Sequence, residues 1–114
     1  MSSPTQRTLA MLRKQNITCQ VVERWNPYAR VRQDLFGIID ILGISGDYTI
    51  GIQTTSASNV SARVKKAKDN EALALWLSHP HRKFLVHGWR QSRTRRWECR
   101  EVELFLRNGE IVSE

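Results

Sequence analysis

The run from Phe36 to Thr55, FGIIDILGISGDYTIGIQTT, is almost wholly apolar and β-branched on either side of one turn signal. Residues of that kind favour extended chain, and a continuous apolar run belongs to strands covered on both faces. Ser45-Gly46-Asp47 breaks the run with small, turn-forming residues, so it reads as an antiparallel hairpin inside a sheet. Yet it carries Asp40 in one limb and Gln53 in the other. A carboxylate in such a place is costly unless it is paired or binds something.

The rest of the chain supplies the layers that cover this hairpin. Ser2 or Ser3 can cap a first helix with Pro4 in its opening turn and Leu9, Met11 and Leu12 as its apolar stripe, reaching about Lys14 or Gln15. Ile17 to Trp25 then alternates as a first strand and stops at Pro27, which cannot join an interior ladder. After the hairpin the period returns to 3.6: Val60, Val64 and Ala67 form a stripe on a helix otherwise lined by Arg63, Lys65, Lys66 and Lys68. A break near Asp69 and Asn70, either of which can cap, opens a second helical piece that ends before Pro80. Arg82 to Gln91 and Arg95 to Leu106 read as two further strands, the last closed by Asn108 and Gly109. The helix between the third and fourth strands permits a parallel crossover. The expectation is one domain, residues 1–114, of α+β class with a mixed central sheet flanked by helices.

Alternation places Asp40 on a face with Ile38 and Leu42, and Gln53 on a face with Gly51 and Thr55. If the Ser45–Asp47 turn is central, Asp40 and Gln53 meet across the hairpin. A carboxylate, an amide oxygen and a hydroxyl converging there suit Mg²⁺, or Mn²⁺, which take hard oxygen ligands and few carboxylates. The alternative is that backbone donors or Arg32 satisfy Asp40, and that Gln53 and Thr55 bond one another.

These residues and their order resemble the PD-(D/E)XK nuclease superfamily, which includes restriction enzymes and Holliday junction resolvases. Its core of helix, three strands, helix and strand covers nearly the whole chain, and Gly37-Ile38-Ile39-Asp40-Ile41 is similar to its G-x-x-D-hydrophobic strand. Small phage and bacterial proteins of this type also look similar over Arg32 to Leu42 and Ile50 to Ala67. Gln53-Thr54-Thr55 stands in place of the (D/E)-x-K motif. The resemblance implies a restriction-endonuclease-like fold in which Asp40, Gln53 and the Thr54 carbonyl ligate the metal. Thr55 would sit where the family Lys is expected, and the cation would move to the following helix as Lys65, Lys66 or Arg63. Asp34 and Glu23 are accessory ligand candidates, with pairing to Arg24, Arg30 or Arg32 as their other use. The first helix has no acidic residue, so a Glu that some members carry there is missing.

Charge points the same way. The chain holds 18 Lys plus Arg against 11 Asp plus Glu, for a net +7, and most of the cations are Arg. Arg forks match phosphate geometry. Arg90, Arg93, Arg95, Arg96 and Arg100 flank the turn between the last two strands beside Trp89 and Trp97, where Arg can hold phosphates and an exposed Trp can stack on a base. The other use of this stretch is a solubilising hairpin with both Trp residues in the core.

Several other chemistries find little support. His79-Pro80-His81 reads as a helix terminus, and His87 has no nucleophile setting around it. No Gly-rich phosphate loop is present. Cys19 and Cys99 form no disulfide framework or metal spacing. A small RNA-binding α+β domain is a weaker fit, since the fourth strand lacks the aromatic spacing of an open RNA-binding sheet. The sequence contains neither a signal-peptide core nor a membrane-length apolar run. The expectation is a cytoplasmic, metal-dependent nuclease or DNA-processing protein acting on DNA as a homodimer. A non-catalytic nucleic-acid-binding module on the same fold is the alternative.

Overall fold

A computed structural model describes residues 3–114. Helix α1 (Pro4–Lys14) opens on Ser3, whose side chain accepts the Gln6 N–H, with Pro4 in the first turn where its missing N–H costs nothing. Ser2, the other candidate cap, lies outside the described residues. The helix closes on Asn16, at φ 60°, while the Asn16 and Ile17 N–H groups return to the carbonyls of Arg13 and Leu12. That is the left-handed C-terminal closure in which Asn can replace Gly.

Eight strands follow: β1 (Thr18–Val21), β2 (Arg24–Asn26), β3 (Val31–Gln33), β4 (Ile41–Ile44), β5 (Thr49–Ser56), β6 (Arg82–Gln91), β7 (Trp97–Arg107) and β8 (Glu110–Ser113). Between β5 and β6 lie a 3-10 turn (Ala57–Asn59) and helices α2 (Val60–Lys68) and α3 (Glu71–Leu77). Asn70 caps α3 by accepting the Ala72 N–H. Six strands form one sheet in the order β1-β4-β5-β6-β7-β8, with β5 and β6 parallel and all other neighbours antiparallel. The class is α+β with a mixed sheet.

The two faces of the sheet bury separate apolar clusters. Leu9 and Leu12 of α1 pack with Ile41, Ile50, Ile52 and Leu85. Val60, Ala67 and Leu73 of α2 and α3 pack with Ile39, Phe84, Val86 and Leu104. The central strands are therefore apolar on both sides, as a covered sheet requires. Beneath α1 a polar chain replaces apolar contact: the Trp89 indole N–H donates to Thr8 Oγ1 at 2.9 Å, Thr8 Oγ1 lies 3.2 Å from His87 Nδ1, and His87 Nε2 lies 2.9 Å from a Glu101 carboxylate oxygen. His87 is fully buried, so its ring nitrogens need these partners.

Three elements differ from the sequence expectation. The expected first strand ends early, because Val22 donates to the Asp40 carbonyl and the chain then leaves the sheet. It forms a separate two-stranded arm, β2 with β3, closed by Asn26, whose side chain accepts the N–H groups of Tyr28 and Ala29. The second strand begins at Ile41 rather than at Phe36, since Phe36 and Gly37 take positive φ values of 56° and 78° in a turn held by Asn70 Nδ2 on the Phe36 carbonyl. Finally, Asn108 and Gly109, read as the end of the last strand, are a hairpin turn with positive φ at both residues and lead into β8.

No helix among the described residues is long and apolar enough to cross a membrane.

Gly88 sets how closely the start of α2 approaches the sheet. A Cβ there would collide with Val60 Cγ2 and sit 3.0 Å from the Ala57 Cα. Gly88→Ala is expected to lose about 1–3 kcal/mol of stability to overpacking. Urea denaturation measures this, with Gly46→Ala, where nothing lies within 4 Å of the added carbon, as the near-neutral control.

Candidate metal centre and the cleft around it

The site forms where β4 runs out and β5 continues. Ile41 pairs with Ile52 at the end of the ladder, and Asp40 still donates its own N–H to the Ile52 carbonyl. Beyond that point the Thr54 N–H has no strand opposite it, and it donates to the Asp40 carboxylate at 2.8 Å. The Thr54 hydroxyl adds a longer contact of 3.3 Å to the same oxygen and lies 3.0 Å from the Thr5 hydroxyl of α1. Asp40 thus caps the open end of its own hairpin.

Two further carboxylates come from the feet of the arm. Glu23 immediately precedes β2, and Asp34 immediately follows β3. Glu23, Asp34 and Asp40 each place an oxygen such that all three atoms lie within 4.8 Å of one another. Arg32 holds Glu23 from across the arm at 3.2 Å. Gln53 donates through Nε2 to Asp34 at 3.0 Å, while its Oε1 is buried without a hydrogen-bond partner. With Gln53 only 1% exposed, that carbonyl oxygen is an unsatisfied acceptor, which is rare in folded proteins.

This crowding shows in protonation. Burial, first, and the hydrogen bond with Asp34, second, push the Asp40 carboxyl up to about 8, against the opposing effect of the Thr54 N–H. The charges of Asp34 and Glu23 push it in the same direction. No Lys or Arg among the described residues forms an ion pair with Asp40 or Asp34. The cluster is therefore short of positive charge, and its donors are all hard oxygens. Three carboxylates plus an orphaned amide oxygen fit Mg²⁺ or Mn²⁺.

The cluster lies in a cleft of about 340 Å³ lined also by Thr5, Thr54, Arg63 and Lys66. Asp40, Gln53, Thr54, Asp34 and Glu23 thus come together, with Arg63 and Lys66 on the wall. Lys65 does not line the cleft; it lines an open surface with Ala62, Asp69 and Asn70, which Lys66 also reaches. Thr55 is buried and also absent from the lining, so of the two adjacent threonines it is Thr54 that reaches the site. Gln53 bonds Asp34 rather than Thr55. The spacing of Glu23 and Asp34 about Asn26-Pro27-Tyr28 is the sequence signal for the arm: a turn between two charged ends brings those ends together.

The basic hairpin is separate. Arg90, Trp97, Cys99 and Arg100 line a groove of about 830 Å³ against Ser56 to Ser58, which begins two residues past Thr54. Trp89 is buried, whereas Trp97 is half exposed and carries the Arg7 guanidinium 3.3 Å from its ring centroid. Arg90 pairs with Glu98 at 3.2 Å. Arg93, Arg95 and Arg96 lie exposed at the hairpin tip. Both cysteines are free, and burial pushes the Cys99 thiol up to about 12. His81 donates its N–H to His79 Nδ1 and sets its own ring against the Asp47 carbonyl, a local tie between two turns.

No protein-family model, curated protein or solved structure matches the chain.

Because the folded value for Asp40 lies above the unfolded 3.8, its stabilising contribution is complete below about pH 4 and is lost as pH rises to about 8. The metal-free protein is expected to lose thermal stability across that window. Saturating Mn²⁺, which must displace the proton, is expected to raise the melting temperature more at pH 8 than at pH 5.5. Asp40→Asn should remove both the slope and the metal effect; thermal scans at the two pH values check it.

Proposed function

We propose that this chain is a metal-dependent phosphodiesterase acting on nucleic acid, with a restriction-endonuclease-like arrangement of helix, strands and crossover. The observation that carries this reading is the meeting of three carboxylates within 4.8 Å beside the orphaned Gln53 oxygen, in a cleft walled by Arg63 and Lys66. Acidic oxygens at the floor and cations at the rim are the charge pattern that a divalent ion and a phosphate fill together.

Glu23, Asp34 and Asp40 would hold Mg²⁺ or Mn²⁺, with Gln53 Oε1 as a further oxygen donor. A divalent ion held there supplies an acidified water and an electrophile for a phosphoryl oxygen. The chain's own residues do the rest. The Thr54 N–H fixes the Asp40 carboxylate in place, and the Gln53 amide fixes Asp34. Arg63 and Lys66 offer positive charge to the phosphate as negative charge grows on its oxygens. They replace the Lys that Thr55 cannot supply, and they act from α2.

Asp40→Asn is expected to reduce Mg²⁺-dependent cleavage of DNA by more than about 100-fold while nucleic-acid binding persists. Arg63→Ala with Lys66→Ala is expected to reduce cleavage without unfolding the chain, since substitutions of exposed or half-exposed helix residues usually shift stability by no more than about 0.5 kcal/mol. Gel assays on single-stranded, duplex and branched DNA check both. A parent chain that binds these DNAs and cuts none with Mg²⁺ or Mn²⁺ would instead support a non-catalytic nucleic-acid-binding module. Thr55 in place of a family Lys is the observation that favours that second reading.

A further inference from the structure

Among the described residues, β2 and β3 contribute no side chain to either apolar cluster. The arm they form is a two-stranded sheet of its own, joined to the domain through the Val22–Asp40 and Leu35–Ile39 backbone bonds at its feet. Isolated hairpins of this size are marginal in water. This one nevertheless displays its apolar side chains: Tyr28 is 98% exposed, Trp25 55% and Val31 47%. Its turn is well built, with Asn26 accepting from Tyr28 and Ala29 and Arg30 bonding back to the Asn26 carbonyl. Tyr28 is therefore held out on a defined turn rather than left on a loose end.

Charge and position select the occupant. Residues 24–33 contain Arg24, Arg30 and Arg32 and no acidic residue. Trp25 and Arg32 are direct cross-strand partners and so share a face. Arg32 lines the metal cleft, which puts Trp25 on the cleft side of the arm. An aromatic ring beside a guanidinium at the edge of a phosphate-sized cleft offers a base and its adjoining phosphate one partner each. Duplex DNA hides the faces of its bases, whereas an unpaired strand exposes them.

We infer that the β2–β3 arm grips an unpaired segment of nucleic acid, with bases stacked on Trp25 and Tyr28 and their phosphates on Arg30 and Arg32, and so delivers that strand to the Glu23–Asp34–Asp40 cleft. The inference rests on the nucleic-acid part of the function proposed above, but not on cleavage. Both feet of the arm carry cluster carboxylates, so a strand held by the arm also steadies Glu23 and Asp34.

The test uses the full chain and the double variant Trp25→Ala, Tyr28→Ala, with fluorescence anisotropy on a dye-labelled mixed-sequence oligonucleotide, single-stranded and as the matching duplex, at one fixed salt concentration. The variant is expected to bind the single strand at least about ten-fold more weakly and the duplex nearly as well as the parent. Trp25→Phe, Tyr28→Phe should restore most of the loss, which a merely structural role would not predict. Unchanged Mn²⁺ binding and thermal melting would show that the domain and cluster remain intact. Equal single-strand affinity in parent and variant overturns the inference, as does an equal loss for strand and duplex. A dimer that becomes a monomer in the variant with binding intact assigns the arm to self-association and overturns it too. If the arm variant loses single-strand binding while the parent cuts nothing, the arm stands and the nuclease reading falls. If Asp40→Asn abolishes cleavage while the arm variant binds normally, the reverse holds.

Discussion

The hydrogen bond from the Thr54 N–H to the Asp40 carboxylate, at 2.8 Å, occupies the point where a two-stranded ladder opens. An unpaired strand N–H buried at that mouth would cost about 1–3 kcal/mol, and the carboxylate removes that cost. In return Asp40 is drawn into a place only 5% exposed. A lone carboxylate there would sit poorly. What makes it tenable is a proton, shared within hydrogen-bonding reach of Asp34, or a cation. The same local need that closes the hairpin therefore creates a binding demand.

Support for this point comes from the α1 side. Thr5 and Thr8 stand one helical step apart and face the sheet together: Thr5 meets the Thr54 hydroxyl, and Thr8 meets both Trp89 and His87. Directed hydrogen bonds fix the rotation of α1 where apolar contact alone would let it slide. With Nε2–H donating to Glu101, His87 Nδ1 is free to accept from Thr8, while Thr8 accepts from Trp89. Every donor in the chain then has one acceptor. Glu101, half exposed, is held below the usual carboxylate range chiefly by its bond to His87. The Thr8–His87–Glu101 network steadies α1, and with it Thr5 and Thr54, and the hydroxyl beside the buried histidine is itself fully buried.

Much of the fold was legible because period and burial coincide in the central strands and helices. The covered hairpin, the crossover from β5 to β6 and the Asn70 break between α2 and α3 all announce themselves in apolar pattern and cap residues. The meeting of Asp40 and Gln53 follows from alternation once the turn at Ser45–Asp47 is placed. The arm was not legible in the same way. Its strands are three residues each, all exposed but Asn26, and Trp25 and Val31 resemble core residues in a strand pattern. Phe36 misled similarly: a bulky aromatic at φ 56° violates the preference of its residue type, and only the Asn70 bond to its carbonyl reveals why the strand starts later. Thr54 and Thr55 have the same chemistry in sequence, and the side that each takes is decided by which N–H is left open.

Cations from three parts of the chain line the cleft and the neighbouring groove. Arg63 and Lys66 come from α2, Arg32 comes from the arm, and Arg90 and Arg100 line the neighbouring groove. Among the described residues only Arg32 forms an ion pair with the acidic cluster, and it holds Glu23. Had Arg63 or Lys66 paired with Asp40, the carboxyl would ionise readily, but its charge would already be neutralised and a divalent ion would gain little there. Holding the cations at the rim leaves the floor acidic enough to attract an ion and the walls basic enough to attract a phosphate. A chain of net charge +7 can thus keep one buried cluster of hard oxygen donors, in which Asp40 holds a proton near neutral pH unless a cation displaces it.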